Sequence, residues 1–435
     1  MRGEGQPISD LSASSLLLSF SAYACSSDDI IESEGQDEIE SMAKVLKENA
    51  KALPKTAPRL LICTLYGALA AEQQLEVFKP APAGHRKVIL ATNIAETSLT
   101  INGIVYVIDT GMVKQKTFNP RTQLDTLRVR PISRAQANQR TGRAGREAAG
   151  WCFRLFTEAA FETLDLSTVP EILRCSMATI VLQLKVMGVK NPVEFDFISS
   201  PSEDSFATAL GLLFSLGALN ESMELTSEGR RLAQFPLDPK HAKVIVASEE
   251  FGCSAEILSI VALLSVETIF TNPTSKREQA NKIRSRFLAP QGDHITLLNV
   301  YRTYVGEKNQ QQWCHDHFIN ARSMATVVNV RAQLKAVCNR LGVTLESCNG
   351  DTVLMRKALL SGLFVNVAIL QPDRSFKTLK SGQTAQLHPS SALFGMKPRC
   401  VLYDELIETS KRYLRGCSLL DNDWLSEVVP VYFAG

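Results

Sequence analysis

Three short runs near the start of the chain, RLLICTL (59–65), KVILAT (87–92) and IVYVID (104–109), are apolar almost end to end. A strand that buries one face alternates apolar and polar residues, whereas a strand covered on both faces does not. Segments with helical spacing lie before and between these runs: Ile39, Met42, Val45 and Leu46 within 36–52, and the stretch 71–78. Apolar strands alternating with helices predict an α/β unit built on a parallel sheet. Between 112 and 130 the pattern changes to alternation on either side of Asn119-Pro120-Arg121-Thr122, which predicts a β-hairpin projecting from that sheet.

Beyond about residue 160 the chain turns helical. Met177, Ile180, Val181, Leu184 and Met187 form one apolar stripe stopped by Gly188, and Phe206, Leu210, Leu213 and Phe214 form another stopped by Gly217. The short run Met223-Glu224-Leu225-Thr226 suits a β wing beside them. Residues 230–345 read as mostly helix, with stripes at Ile257, Val261 and Leu264 and from Met324 to Leu341. From about 351 the pattern becomes β, at 362–370, 384–387, 399–405 and 410–419, which suits a small barrel. The 435 residues fit about two to four domains.

Net charge is +2, so no global basic field marks a nucleic-acid partner, and any anion site is local. Ten cysteines are scattered without a CxxC pair, which argues against zinc and against a disulfide framework. No apolar run is long enough to span a membrane. Residues 16–24 have the outline of a short signal-peptide core, but Glu4 and Asp10 offset Arg2 ahead of it. The favoured reading there is an irregular or buried segment within a Ser-rich, acidic, irregular N-terminus covering 1–34.

QRTGRAGR (139–146) sets three arginines and two glycines within eight positions. Arg140, Arg143 and Arg146 recur every three residues, and on one helical turn Arg143 and Arg146 point to nearly the same side. Gly142 and Gly145 keep the surface bare for close approach. Planar guanidiniums with five donors suit phosphate oxygens better than lysine does. Such arginines reaching across an interface would act as arginine fingers on a transferring phosphoryl group. The alternative is a solvated basic turn. The cluster WCHDHF (313–318) has the composition of a metal site, but no second cluster completes a tetrahedral set, so it reads as structural. Asp37, Glu38 and Glu40 complement the start of a helix.

The run ATNIAETSLTI (91–101) followed by QRTGRAGR resembles motifs V and VI of the DEAH-box ATP-dependent RNA helicases of superfamily 2. The resemblance runs from about Gly35 to the C-terminus. It takes in GQDEIE (35–40), LYGALAAEQQ (65–74), VFKPAP (77–82), the hairpin, VPEILRC (169–175), GDHITLLNVYRTY (292–304) and HPSSALF (388–394).

The resemblance implies an α/β RecA-like parallel sheet, the second helicase domain, at 35–160. A winged helix at 161–226, a mostly helical ratchet domain at 227–348 and a β OB-fold at 349–435 would follow it. It implies that Gln139, Arg143 and Arg146 face nucleotide phosphates, with Gly142 between them. Asp109 matches a position near the ribose, and Phe78 matches the aromatic that stacks on adenine. Without the family, Phe78 would read as core and Asp109 as a turn residue. Gly67, Thr92, Ser98 and Thr100 match positions that grip the RNA backbone, although Ser98 and Thr100 also suit capping of a turn. The hairpin cations Lys114, Lys116, Arg121, Arg128 and Arg130 would meet phosphates. The implied cofactors are ATP and Mg²⁺ in a full-length parent, with none bound by this chain alone. The implied partners are RNA and a G-patch-type activator or ribonucleoprotein. The implied location is the nucleus or nucleolus, with the cytoplasm as the alternative.

Two departures from the family pattern stand out. No Gly-Lys-Ser/Thr phosphate loop and no Asp-Glu-x-His box occurs in the sequence. The family also leads into GQDEIE with an apolar strand, whereas here CSSDDIIESE (25–34) takes that place. This departure predicts a sheet lacking one strand, with an unpaired edge or an apolar gap. The readings left open are a helicase portion inactive by itself, a non-catalytic module that binds RNA or a partner, and a product without function.

Overall fold

The structure is a computed structural model and describes residues 28–32, 36–54, 56–66, 69, 71–93, 96, 101–120, 122, 124–266, 268–271, 276–408 and 411–433. The signal-like stretch at 16–24 lies outside the described residues. Two compact units divide the chain. One comprises the described residues up to Gln115 together with Val129–Val169, and the other comprises Lys116–Arg128 and the chain from Pro170 onward.

The first unit is a five-stranded sheet in the order β2-β3-β1-β4-β7. Its strands are β1 (Asp28–Glu32), β2 (Arg59–Leu65), β3 (His85–Ala91), β4 (Ile104–Asp109) and β7 (Trp151–Arg154), all paired in parallel. Its helices are α1 (Gln36–Asn49), α2 (Ala71–Glu76), α3 (Arg134–Thr141) and α4 (Glu158–Thr163). The three apolar runs became β2, β3 and β4, as their lack of alternation predicted.

The expected missing strand is present. β1 is the central strand, with Ile30 opposite Ile89 and Val107, and Ile31 opposite Leu90 and Ile108. The expectation of an irregular stretch through residue 34 is therefore corrected at Asp28–Glu32. A central parallel strand ordinarily reads as a longer apolar run, and DDIIE holds only two apolar residues. Those two are enough because successive side chains point to opposite faces. Ile30 enters the cluster of Leu65, Ile89 and Val107, and Ile31 enters the cluster of Ile39, Leu46, Val88 and Leu90 on the other face. Both isoleucines are buried, a gain of about 1.5–3 kcal/mol for each side chain removed from water.

Helix α1 covers the Ile31 face through Ile39, Ala43 and Leu46, spaced one helical turn apart. Val45, which the spacing assigned to that stripe, is exposed instead. In β3, buried Lys87 turns inward and its ammonium donates to the carbonyls of Val77 and Lys79 at 3.0 and 2.9 Å. It thereby satisfies carbonyls left unpaired beyond the end of α2.

The hairpin strands β5 (Met112–Asn119) and β6 (Leu124–Pro131) form a separate two-stranded ribbon. In the second unit, α5 (Ala178–Val186) and α6 (Glu203–Ser215) end at Gly188 and Gly217, whose φ angles are +92° and +74°. Both glycines take left-handed conformations that the sequence reading required of them as stops. The expected wing is a single antiparallel bridge between Leu219 and Leu225. Helices α7 (Ser227–Leu232), α8 (Pro239–Ala247), α9 (Ser254–Leu264), α10 (Arg277–Arg284), α11 (Asp293–Gly306), α12 (Gln310–Asp316) and α13 (Ala321–Leu341) follow.

The β pattern expected from about 351 begins later than anticipated. α14 (Thr352–Leu363) comes first, its amides at Val353 and Leu354 capped by the Asp351 carboxylate. Its buried Met355, Leu359 and Leu363 mark a helical face that short-run reading took for strand. Gly362 lies so close to α8 that a Cβ there would sit 2.1 Å from the Lys240 carbonyl oxygen. Seven short strands then form a sheet in the order β12-β13-β10-β9-β8-β11-β14. They are β8 (Val367–Leu370), β9 (Phe376–Thr378), β10 (Thr384–Leu387), β11 (Cys400–Leu402), β12 (Glu405–Glu408), β13 (Arg412–Arg415) and β14 (Ser418–Leu420). The chain closes with α15 (Asp423–Val428) and α16 (Pro430–Phe433).

Ile31→Ala is expected to cost about 2–5 kcal/mol, the range for truncating a buried isoleucine. Urea unfolding of the purified chain reads this directly. A loss under about 1 kcal/mol would mean that β1 does not hold the sheet together.

Candidate functional site

Helix α3 presents the arginine-rich loop. Ser133 caps its start, accepting from the Gln136 amide while the Gln136 side chain accepts from the Ser133 amide at 3.1 Å. Ala137 and Arg140 form its buried face. The Arg140 side chain is 1% exposed. Its guanidinium donates to Asp109 Oδ1 at 2.8 Å, to Glu96 Oε2 at 3.2 Å and to the Met112 carbonyl at 3.1 Å. Arg143, also buried, donates to the main-chain carbonyl of Glu96. One buried cluster thus joins two guanidiniums, two carboxylates, the end of β4 and Glu96 beyond β3. Charges in such a place persist because each finds a partner.

The helix ends at Thr141, and the amides of Arg143 and Ala144 then bond three residues back. The expectation that Arg143 and Arg146 share one side is corrected. With the helix ended, Arg143 turns inward and Arg146 is exposed. Gln139 and Gly142 are also exposed. Asp109 Oδ1 accepts from the Gly111 amide at 2.9 Å, as a turn residue would, in addition to holding Arg140. Its Oδ2 is buried and has no hydrogen-bond partner among the described residues. Phe78 is 42% exposed after α2, so it is not core. Thr92 is half-buried at the end of β3, its amide bonded to the Leu65 carbonyl at 3.1 Å. Gly67, Ser98 and Thr100 lie outside the described residues, as does Arg121. Of the other hairpin cations, Lys114 is half-buried, Lys116 and Arg130 are exposed, and Arg128 is ion-paired with Glu408.

A second polar cluster lies in the helical and β region. His294 at the start of α11 is fully buried, with Nδ1 2.7 Å from Ser418 Oγ and Nε2 2.8 Å from Asp404 Oδ1. Its neighbour Asp293 accepts from Ser391 Oγ and from the amides of Ala392 and Cys417 at 2.8, 2.6 and 2.7 Å. The serine, histidine and aspartate have the composition of a hydrolytic triad, but Ser418 and His294 are sealed from solvent. The cluster is a tie between α11 and the β sheet. Burial disfavours the imidazolium, yet the charge and hydrogen bond of Asp404 and the charge of Asp293 together raise the His294 pKa above its ordinary value. Burial acts the other way on a carboxyl and pushes the Asp293 pKa up, against the three hydrogen bonds it accepts. In the WCHDHF run, His317 stacks on Trp313 with ring centroids 4.5 Å apart and bonds its carbonyl at 2.8 Å, while Cys314 is buried. These are packing roles. The sequence reading missed Glu96 and His294 as organising residues, although both sit inside motifs it had quoted.

The chain matches known families along most of its length. Residues 25–148 match the helicase conserved C-terminal domain, 209–237 the winged-helix and 238–297 the ratchet-like helicase-associated domains, and 355–432 the oligonucleotide/oligosaccharide-binding fold. The first match includes β1. Among relatives, the chain is 47% identical over 434 residues to human "ATP-dependent RNA helicase DHX33", covering 98% of this chain and 61% of that protein. It is 44% identical over 401 residues to the "Pre-mRNA-splicing factor ATP-dependent RNA helicase prp22" of Schizosaccharomyces pombe, covering 92% of this chain and 34% of that protein. It is 41% identical over 403 residues to "Probable ATP-dependent RNA helicase DHX35" of Pongo abelii, covering 92% of this chain and 56% of that protein. The chain belongs to the DEAH-box RNA helicases and corresponds to their C-terminal portion: a RecA-like sheet, a helical winged-helix and ratchet region, and an OB-fold. It spans less than two thirds of the length of each of these relatives.

Two outcomes are expected here. Arg140→Ala leaves Glu96 and Asp109 buried without their shared cation and is expected to destabilise the chain by about 3–5 kcal/mol, read by chemical denaturation. The folded chain also binds the His294 proton more tightly than the unfolded chain does. That stability is full below the ordinary imidazole value of 6.5 and is lost as pH rises through the higher folded value. Asp293 acts with the same sign at lower pH, its folded value standing above 3.8. The melting temperature should therefore fall as pH rises above 6.5, and His294→Gln should flatten that dependence.

Proposed function

We propose that this chain is the arginine-bearing, RNA-holding part of an ATP-dependent RNA helicase motor. The observation that carries the reading is the burial of Arg140 against Glu96 and Asp109, which fixes the end of α3 with Gln139 and the following loop with Gly142, Arg143 and Arg146. Arg146, exposed, is the readier finger for a γ-phosphate. Arg143 reaches one only by releasing the Glu96 carbonyl. Gln139 would orient the attacking water. The half-exposed ring of Phe78 supports a stacking role on adenine, and Asp109 Oδ2 has an acceptor to spare that a ribose hydroxyl would reach only if the buried cluster opened. ATP would meet these groups while its phosphates and Mg²⁺ are held by residues outside this sequence, and the metal would supply charge neutralisation at the phosphates. Thr92, with Gly67, Ser98 and Thr100, would hold the RNA backbone through small polar groups. RNA is the principal partner, a G-patch-type activator or ribonucleoprotein a second one, and the nucleus or nucleolus the site of action.

By itself the chain does not hydrolyse ATP in this reading, because fingers act only on a nucleotide that something else holds. The second reading, a non-catalytic RNA- or partner-binding module, is favoured by the absence of a Gly-Lys-Ser/Thr loop from the sequence.

The purified chain is expected to bind single-stranded RNA with strong salt dependence and to show no RNA-stimulated ATP turnover. Turnover that disappears in Arg146→Ala would reveal a phosphate site within this sequence and overturn the reading. Joined to a phosphate-binding half, the same substitution should lower kcat by roughly 10³-fold or more. An unchanged kcat there would leave only the binding-module reading.

A further inference from the structure

Two arginines in the second unit converge on one carboxylate. Arg128, at the end of the hairpin tip Lys116–Arg128, donates from Nη2 and Nε to Glu408 Oε2 at 2.7 and 3.1 Å. Arg412, at the start of β13, donates from Nε and Nη2 to Glu408 Oε1 at 3.2 and 3.1 Å. The hairpin tip is seated on the same unit by two further bonds, the Phe118 amide to the Arg174 carbonyl at 2.7 Å and Thr208 Oγ1 to the Pro120 carbonyl at 3.0 Å. Glu408 thus sits where a doubly charge-assisted anion would sit, with each oxygen taking one guanidinium edge.

This arrangement is costly to explain as a fastening. The Arg128 and Arg412 side chains are 56% and 40% exposed and that of Glu408 is 22% exposed, and ion pairs this close to solvent contribute little to stability. A groove opens beside them, lined by Ser375, Thr384, Gln386 and Lys411 as well as Glu408 and Arg412. Hydroxyls, an amide and an ammonium next to two guanidiniums suit a sugar–phosphate backbone with its 2′-hydroxyls. Asp373, on the same groove, is already occupied by the Ser375 hydroxyl and amide at 2.6 and 2.9 Å.

We propose that Arg128 and Arg412 form a phosphate clamp for a single RNA strand on the OB-fold, and that Glu408 occupies the clamp as an internal competitor until RNA displaces it. The non-bridging oxygens of a phosphodiester would take the guanidinium edges that the Glu408 oxygens take now. Glu408 then sets a threshold, so that a strand must break two exposed ion pairs to enter. This inference rests on the RNA-holding role proposed above and names a regulated subsite within it.

The test is fluorescence anisotropy of the 435-residue chain with a labelled oligouridylate of about sixteen nucleotides, the upper end of OB-fold site sizes, across a salt series. Glu408→Gln is expected to tighten binding roughly two- to thirtyfold at low salt, the worth of two exposed ion pairs. It should also steepen the log–log salt slope by about 0.7–1.4, for one or two newly engaged phosphates. Arg412→Ala should weaken binding strongly in the Glu408→Gln background and little in the unaltered chain, a non-additivity that a fastening role would not produce. Glu408→Ala reads the same difference if the glutamine variant is unstable. If the unaltered chain binds and neither Glu408 variant changes affinity or slope, the clamp is refuted and the RNA reading stands. If none of the three binds RNA, both fall. An equal gain for polyglutamate would refute the assignment to a phosphate backbone.

Discussion

A guanidinium removed from water organises the α/β unit. Arg140 has almost no solvent contact, so its charge is tolerable only while Glu96, Asp109 and the Met112 carbonyl surround it. Those partners come from three separate places in the chain: Glu96 beyond β3, the end of β4 and the start of the hairpin. The ion cluster therefore sets where these segments end relative to α3, and the loop after α3 inherits its position from them. Arg143 adds a second tie by holding the Glu96 main chain. The groups available for chemistry on the exposed side are defined by charges that stay hidden.

Much of this was legible in the residues. β2 and β4 fall where unalternating apolar runs predicted, because burial on both faces writes itself into composition. Gly188 and Gly217 stop their helices because few other residues accept a positive φ. The site was legible only as a motif. Spacing alone put Arg143 and Arg146 on one helical face, but the helix has already ended at Thr141, and an end is set by hydrogen bonds rather than by periodicity. The exposure of Phe78 was equally hidden, since an aromatic side chain carries the same letter in a core or on a surface. β1 escaped because two isoleucines make no pattern. The helix α14 escaped because a continuous apolar stretch is ambiguous between strand and helix.

The helical and β region follows a related logic with different groups. Gly292, at φ +124°, brings the start of α11 so close to Cys417 and Ser418 that a Cβ would lie 2.3 Å from a carbonyl oxygen. That close approach puts Asp293 and His294 within reach of Ser391, Asp404 and Ser418. A small residue at the contact and a satisfied polar cluster beside it specify one docking of helix on sheet, where apolar packing alone would tolerate several. The exposed Arg128–Glu408–Arg412 arrangement differs in kind. Its arginines face solvent, so water competes for its bonds and they hold little of the fold's stability.

Strand β1 carries a consequence for how this architecture tolerates change. Its place in the middle of the sheet is secured by main-chain ladders to β3 and β4, and peptide groups are the same whatever side chains they bear. The side-chain information required of that strand is one apolar group up and one down. A slot so permissive asks little more of the residues around Ile30 and Ile31 than an unbroken ladder. Departure from a motif at this position is then a poor guide to structural loss, and the innermost strand of the sheet is the one a reading of apolar runs is least equipped to find.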